Sequence, residues 1–411
     1  MLKETDPKIY EIIQKEKQRQ SEGIELIPSE NYISEAVMEA MGSILNNKYS
    51  EGYPRKRYYG GQQFIDEMEE LAQKRTRDLF GAEHVNVQPY SGSPANIAAL
   101  MALLKPKDKI LGMSLAHGGH LTHGHPVNFS GILFDVVSYG IDKETGFIDY
   151  DEVRKIAIKE KPKLIISGAT AYPRKFDYKA LADIAKEIGA FSLADIAHVA
   201  GLIVGDVHPT PFPFTDVVTT TTHKTLRGPR GGIIMCKNEF REAIDKAVFP
   251  GLQGGPHDHI NAAKAVTLKE ASTPEFKEYA VQVVKNAKVL AEELINYGFD
   301  LVSKGTDNHL ILIDLQKKEL TGKEAEEVLD KIGLTVNKNM VPFDPRKPFD
   351  PSGIRLGSPA ATTRGMEEGE MKKIGFWINE AIENRKNEAK IASLREEVHQ
   401  LCLGFPVPGI K

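Results

Sequence analysis

Apolar positions recur along this chain with two periods, and the alternation between them predicts a mixed succession of strands and helices. Near the start, residues 6–22 place Ile9, Ile12 and Ile13 on one face among charged neighbours. That spacing predicts an amphipathic helix whose apolar stripe needs a partner. An alanine-rich run through Leu104 predicts a helix, and Lys109 to Met113 a strand. Leu164-Ile165-Ile166 reads as a buried strand, 178–188 as an amphipathic helix and Ala190 to Ala194 as the next strand. The β-branched run Val217 to Thr222 has strand propensity. Such strand–helix alternation predicts an α/β sheet with its motifs at the carboxyl ends of strands, where open sheets bind ligands. Residues 259–297 read as helix with a break near Thr273-Pro274. His309 to Leu315 follows as a strand, Gly322 to Ile332 as a helix, and 366–403 as further helix. A chain of 411 residues exceeds one simple core. The expected division is an N-terminal arm over 1–60, a large α/β domain over 61–275 and a smaller α+β domain over 276–411.

Chemistry concentrates where strands end. The run from Val217 delivers His223 and Lys224 to its end, and the chain then breaks into the loop sequence Gly228-Pro229-Arg230-Gly231-Gly232. A lysine at a sheet's mouth either solvates the strand end or, partly desolvated, serves as a nucleophile towards a carbonyl. The earlier strand ends in Asp195, with His198 three residues on and Gly201 beyond it. An acid on one strand end and a lysine on a later one is the pairing that pyridoxal phosphate requires. The lysine binds it covalently, and the carboxylate keeps its ring nitrogen protonated.

The two stretches ADIAHVAGL and TTTTHKTLRGPRGG resemble serine hydroxymethyltransferase, a family of pyridoxal-phosphate enzymes. The resemblance runs from about Leu26 to Arg364 and carries at least six motifs in family order. It implies the aspartate aminotransferase-like fold type I, with a mostly parallel central sheet. It also implies pyridoxal 5'-phosphate held covalently on Lys224, with Asp195, His198, His223 and Thr221 around it. SGSPAN is similar to the phosphate cup and implies Ser91, Gly92 and Ser93; before a helix, small residues also expose N–H groups to an anion. GATAYPR resembles GASAYPR and places Thr170 near the cofactor in place of a serine.

The segment YSEGYPRKRYYGG packs four tyrosines, one acid and three basic residues into thirteen positions, and its Gly and Pro predict a loop. Alone it reads as an interface patch or a site. The resemblance assigns Glu51 to proton handling on the hydroxymethyl group. It places Tyr49, Tyr58 and Tyr59 in an active site shared across a homodimer. FPGLQGGP implies that Gly254 and Gly255 reach the phosphate across that dimer. IPSEN resembles the family's LIASEN, with Pro28 for alanine and Ser29 at the substrate carboxylate. SGIRLGSPAATTRG makes Arg355 the substrate anchor, because a guanidinium fork matches a carboxylate.

LAHGGHLTHG and TVNKN imply a pterin site at Leu115, Gly119, His120, Leu121 and Asn339, with His120 stacked on the cofactor ring. His117, His120 and His123 also have spacing that suits a metal on a loop, but the run itself contains no Cys or carboxylate and no metal is expected. His125 stands where the family has serine, and Lys347-Pro348-Phe349-Asp350-Pro351 departs from the spelling SPFxT. Tetrahydrofolate is the expected carrier, and tetrahydromethanopterin the alternative.

A net charge of −4 gives no footprint for nucleic acid, and no apolar run is long enough to span a bilayer. Met1 to Asp6 does not read as a signal peptide, and two cysteines imply no disulfide framework, so a cytoplasmic setting is expected. Two rival readings accompany the transferase. One is a pterin-independent aldolase acting on threonine or another 3-hydroxy amino acid. The other is a catalytically idle relative serving as a binding or RNA-associated module.

Overall fold

The computed structural model describes residues 1–410, which divide into two compact units, 33–281 and the pair of segments 1–32 and 282–410. In the unit 33–281, seven strands form one sheet. They are β1 (His84–Asn86), β2 (Lys109–Met113), β3 (Asp135–Tyr139), β4 (Leu164–Ser167), β5 (Phe191–Asp195), β6 (Val217–Thr221) and β7 (Gly232–Cys236). Their order is β1-β7-β6-β5-β4-β2-β3. The pairings from β6 through to β3 are parallel, while β7 is antiparallel to both its neighbours. Strands covered on both faces are buried along their whole length, and every residue of β4, β6 and β7 is buried, the threonines of β6 included. The alanine-rich helix Gly92–Leu103 owes its close seat on the sheet to small side chains. Ala95, Ala98, Ala99 and Leu100 pack with Ile110, Leu164, Leu193, Val217 and Ile234. The break expected near Thr273 falls between helices Asp258–Ala271 and Pro274–Asn296.

The expected loop over 49–61 needs correction: it contains a small antiparallel hairpin, Gly52–Tyr53 paired with Lys56–Arg57. Composition alone missed it because its strands are two residues each and their residues are mostly polar. Gly52 takes the left-handed φ of +100° that lets the backbones close.

In the other unit, a four-stranded antiparallel sheet runs in the order Asp300–Leu301, Leu310–Asp314, Gly353–Gly357, Asn337–Asn339. Helices Gly322–Lys331, Glu368–Glu383 and Glu388–Leu403 contribute Leu329, Ile378 and Leu394 to its core. Helix Pro7–Glu22 is capped by Asp6 and buries none of its side chains in the single chain; Ile9, Ile12 and Ile13 are exposed. No helix among the described residues is long and apolar enough to cross a membrane.

Candidate active site

The sheet gathers the sequence motifs at one edge. β1 leads to Ser91–Ser93, β2 to Leu115–His123, β4 to Gly168–Thr170, β5 ends on Asp195, and β6 runs on to Lys224. These are the carboxyl ends of strands that point the same way, the edge at which such sheets build ligand sites.

Asp195 is the electrostatic centre. Its side chain is 10% exposed, and its Oδ2 accepts from His123 Nε2 at 3.1 Å and from Asn96 Nδ2 at 2.8 Å. Oδ1 accepts the Ala197 N–H at 3.0 Å. Burial opposes the charge, but the hydrogen bond and charge of His123, with His120 and Asn96, hold the carboxyl well below its usual range. Asn96 spends both amide protons, one on Asp195 and one on Thr122 Oγ1 at 2.8 Å, while its carbonyl accepts from Thr219 Oγ1 at 2.6 Å. The Thr122 hydroxyl lies 2.7 Å from His120 Nδ1 and completes a relay that orients both the acid and the imidazole. No local sequence pattern marks Asn96, Thr122 or Thr219 as part of the site. Their link to Asp195 joins positions tens of residues apart, a relation that no local pattern shows.

The same fold changes the metal argument. The histidine run lacks a carboxylate of its own, yet β5 supplies Asp195, and ligand atoms of His120, His123 and Asp195 lie within 4.8 Å of one another. His117 does not join them; its Nδ1 accepts the Ile141 N–H at 3.1 Å.

Lys224 is 9% exposed and His198 6%. The Lys224 carbonyl accepts from Arg227 N–H at 3.1 Å and that of Thr222 from Gly228 N–H at 2.7 Å, so the turn after β6 is fixed by main-chain bonds. His223 is driven down to about 3 by burial and then by the charges of Arg230 and Lys224, so it is neutral at physiological pH. The Thr225 hydroxyl donates to the His198 carbonyl at 3.0 Å and accepts the Gly201 N–H at 3.0 Å, locking the two motif segments together.

Ser91 stands at the N-cap of helix Gly92–Leu103 without using its side chain as the cap. The hydroxyl and the first N–H groups therefore remain for an anion. A Cβ on Gly92 would lie 2.7 Å from Thr221 Cγ2, which explains the glycine and brings two expected cofactor residues together. Ser93 is exposed on the same turn and Thr170 is half-buried. A charged acid for a ring nitrogen, a buried lysine and a free helix start form a donor set that fits pyridoxal phosphate.

The polar hairpin is held by a buried ion pair. Arg57 donates to Glu69 at 2.7 Å, to Asp66 at 2.9 Å, and to the carbonyls of Ser50 and Gly52 at 3.0 and 2.9 Å. Gln88 Nε2 joins Glu69 and the Gly52 carbonyl at 3.0 and 2.9 Å. Removing one partner of such a pair leaves a buried charge and costs about 3–5 kcal/mol. The rigid base presents exposed Tyr49, Tyr58 and Tyr59, with the Tyr49 and Tyr59 rings edge-on at 5.3 Å. The charge and hydrogen bond of Glu51 raise the Tyr49 phenol. The glycine pair sits here too: a Cβ at Gly254 would lie 3.4 Å from Glu51 Oε1, and one at Gly255 3.3 Å from the Tyr49 ring.

A family model for serine hydroxymethyltransferase matches residues 2–378. The chain belongs to the serine hydroxymethyltransferase family. It is accordingly a pyridoxal-phosphate-dependent glycine/serine hydroxymethyltransferase of fold type I, and the seven-stranded, mostly parallel sheet agrees. Members act on serine and glycine with a pterin co-substrate.

The unit holding residues 1–32 and 282–410 contains the expected anchor of this transferase. Arg355, in the strand Gly353–Gly357, is 6% exposed; its Nε donates to Asn337 Oδ1 at 3.1 Å and its Nη2 to Ser29 Oγ at 3.5 Å. Burial pulls the guanidinium down to about 10, which leaves it charged at neutral pH. Asn339 donates to the Met340 carbonyl at 2.7 Å. Leu115 and Leu121, in the unit 33–281, expose apolar side chains on the turns that flank Gly119 and His120.

Proposed function

We propose that this transferase moves the serine hydroxymethyl group reversibly to tetrahydrofolate, with tetrahydromethanopterin as the alternative carrier, giving glycine and the methylene-pterin. The observation that carries the site assignment is the charged Asp195 carboxylate, bonded by His123, Asn96 and the Ala197 amide, beside the strand that leads to buried Lys224. Lys224 would hold pyridoxal phosphate covalently, Ser91, Gly92 and Ser93 would receive its phosphate together with Gly254 and Gly255 across the dimer, and Thr221 would line the cofactor site. Once bound, the cofactor draws electrons from the bonds at the amino acid's α-carbon. Asp195 would keep the ring nitrogen protonated, His120 would stack on the ring, His198 would contact its phenolic oxygen, and Thr170 would stand near the cofactor. His223 remains a neutral neighbour of the lysine. Arg355 and Ser29 hold the substrate carboxylate, and Glu51, flanked by Tyr49, Tyr58 and Tyr59, handles the proton of the hydroxymethyl group. Leu115, Gly119, Leu121 and Asn339 receive the pterin.

A homodimer with shared sites, in a cytoplasmic setting, completes the reading. It is supported by the exposed tyrosines on a rigid hairpin, by the uncovered Ile9, Ile12 and Ile13 face, and by two free cysteines.

The visible spectrum of the purified protein with glycine tests this. A yellow protein should gain a long-wavelength band that grows when tetrahydrofolate is added. A yellow protein indifferent to tetrahydrofolate but responsive to tetrahydromethanopterin would reassign the carrier. One indifferent to both, with turnover of threonine, would make it an aldolase. A colourless protein would support an idle binding relative.

A further inference from the structure

Lys264 is 1% exposed in the middle of helix Asp258–Ala271, where an apolar residue would be ordinary. Its Nζ donates to four oxygens: the carbonyls of Val87 at 2.5 Å, Pro89 at 3.1 Å and Gly232 at 3.0 Å, and Asn261 Oδ1 at 3.1 Å. Burial, opposed in part by the charge of Glu69, leaves this amine lowered to about 7. The three N–H groups of an ammonium, which can only donate, serve these four acceptors with one bond shared.

The carbonyls belong to two segments with separate tasks. Val87 and Pro89 lead from β1 into the Ser91–Ser93 turn, whereas Gly232 ends the loop that returns from Lys224 and opens β7. The segments are pressed together at this point. Gly232 N–H donates to the Pro89 carbonyl at 3.1 Å, and a Cβ on Gly232 would lie 2.5 Å from the Ser91 carbonyl oxygen. A Cβ on Gly231 would meet Lys264 Cε at 2.3 Å, so the lysine stem occupies the remaining space. Without a cation, three carbonyl oxygens would converge with too few donors in a site closed to water.

We propose that Lys264 is a positioning residue, an internal cation that clamps the Ser91–Ser93 turn to the loop returning from Lys224 and thereby sets the affinity for pyridoxal phosphate. The inference rests on the assignment of that turn to the cofactor's phosphate. It acts on binding, before any chemistry.

The test uses the full-length Lys264→Ala variant stripped of cofactor, titrated with pyridoxal phosphate and followed by visible absorbance. The Kd should rise roughly 10- to 100-fold, as expected when a binding turn shifts by about an ångström. Lys264→Arg, which keeps a donor-only cation on this helix, should recover part of the affinity, and Lys264→Met, which keeps the stem without the charge, should not. A Kd within twofold of wild type for Lys264→Ala would overturn the proposal, as would a wild-type Kd for Lys264→Met. If Lys264→Ala does not fold, Asn261→Leu removes one acceptor and keeps the ammonium. It should weaken binding several-fold at an unchanged apoprotein Tm, and an unchanged Kd would contradict the clamp. Wild-type protein that binds no pyridoxal phosphate would overturn the cofactor assignment together with the clamp, whereas normal binding by Lys264→Ala and Asn261→Leu overturns the clamp alone.

Discussion

Replacing Lys224 with alanine is expected to give a protein that folds, melts near the wild-type temperature and loses serine turnover by roughly 10³-fold or more. The side chain lies at the end of β6, and the turn that follows is held by main-chain bonds from Gly228 and Arg227 that do not involve the amine. Alanine therefore removes the proposed covalent attachment of the cofactor and leaves those main-chain bonds in place. Neighbouring groups should not substitute. His223 is neutral by burial, and the Asp195 carboxylate is committed to three donors. The variant should still bind pyridoxal phosphate, now released by gel filtration or denaturant without borohydride trapping. Near-normal turnover would remove Lys224 from the chemistry and return it to a solvated strand end.

The second large effect belongs to Arg355→Ala, which should raise the serine KM by roughly 10- to 100-fold while kcat falls less. A charge-assisted hydrogen bond is worth about 1.5–3 kcal/mol, and the guanidinium fork offers two of them to a carboxylate. Asn337 and Ser29 already bond to this guanidinium and fix its orientation before substrate arrives. Arg355→Lys should recover only part of the loss, because an ammonium keeps the charge and gives up the planar fork. Steady-state kinetics with serine varied at saturating pterin separates the two parameters. An unchanged KM would place the substrate carboxylate elsewhere.

Much of this architecture was legible because the strands that carry chemistry are short apolar or β-branched runs whose ends coincide with the motifs. β5 closes on Asp195, as the sequence suggests, and β6 ends at Thr221, one residue short of the β-branched run. What stayed hidden is non-local. Asn96 follows the phosphate turn and looks like an ordinary helical residue until the sheet brings Thr219, Thr122 and Asp195 within hydrogen-bond reach of its amide. The absence of a carboxylate in the histidine run argued against a metal, but β5 supplies one from 72 residues away, at 3.1 Å from His123. Lys264 reads as one more charged position on a helix, and only the convergence of Val87, Pro89 and Gly232 shows it to be interior. The hairpin inside 49–61 was missed because it rests on Arg57, Glu69 and Gln88, contacts that local composition does not encode.

The most direct test of the proposed activity is the formation of glycine from L-serine by purified protein supplied with pyridoxal phosphate, with and without tetrahydrofolate. Turnover that requires the pterin and yields glycine and methylene-tetrahydrofolate in equal amounts is the predicted result. Glycine formed at the same rate with no pterin present, or none formed with either carrier, would contradict it.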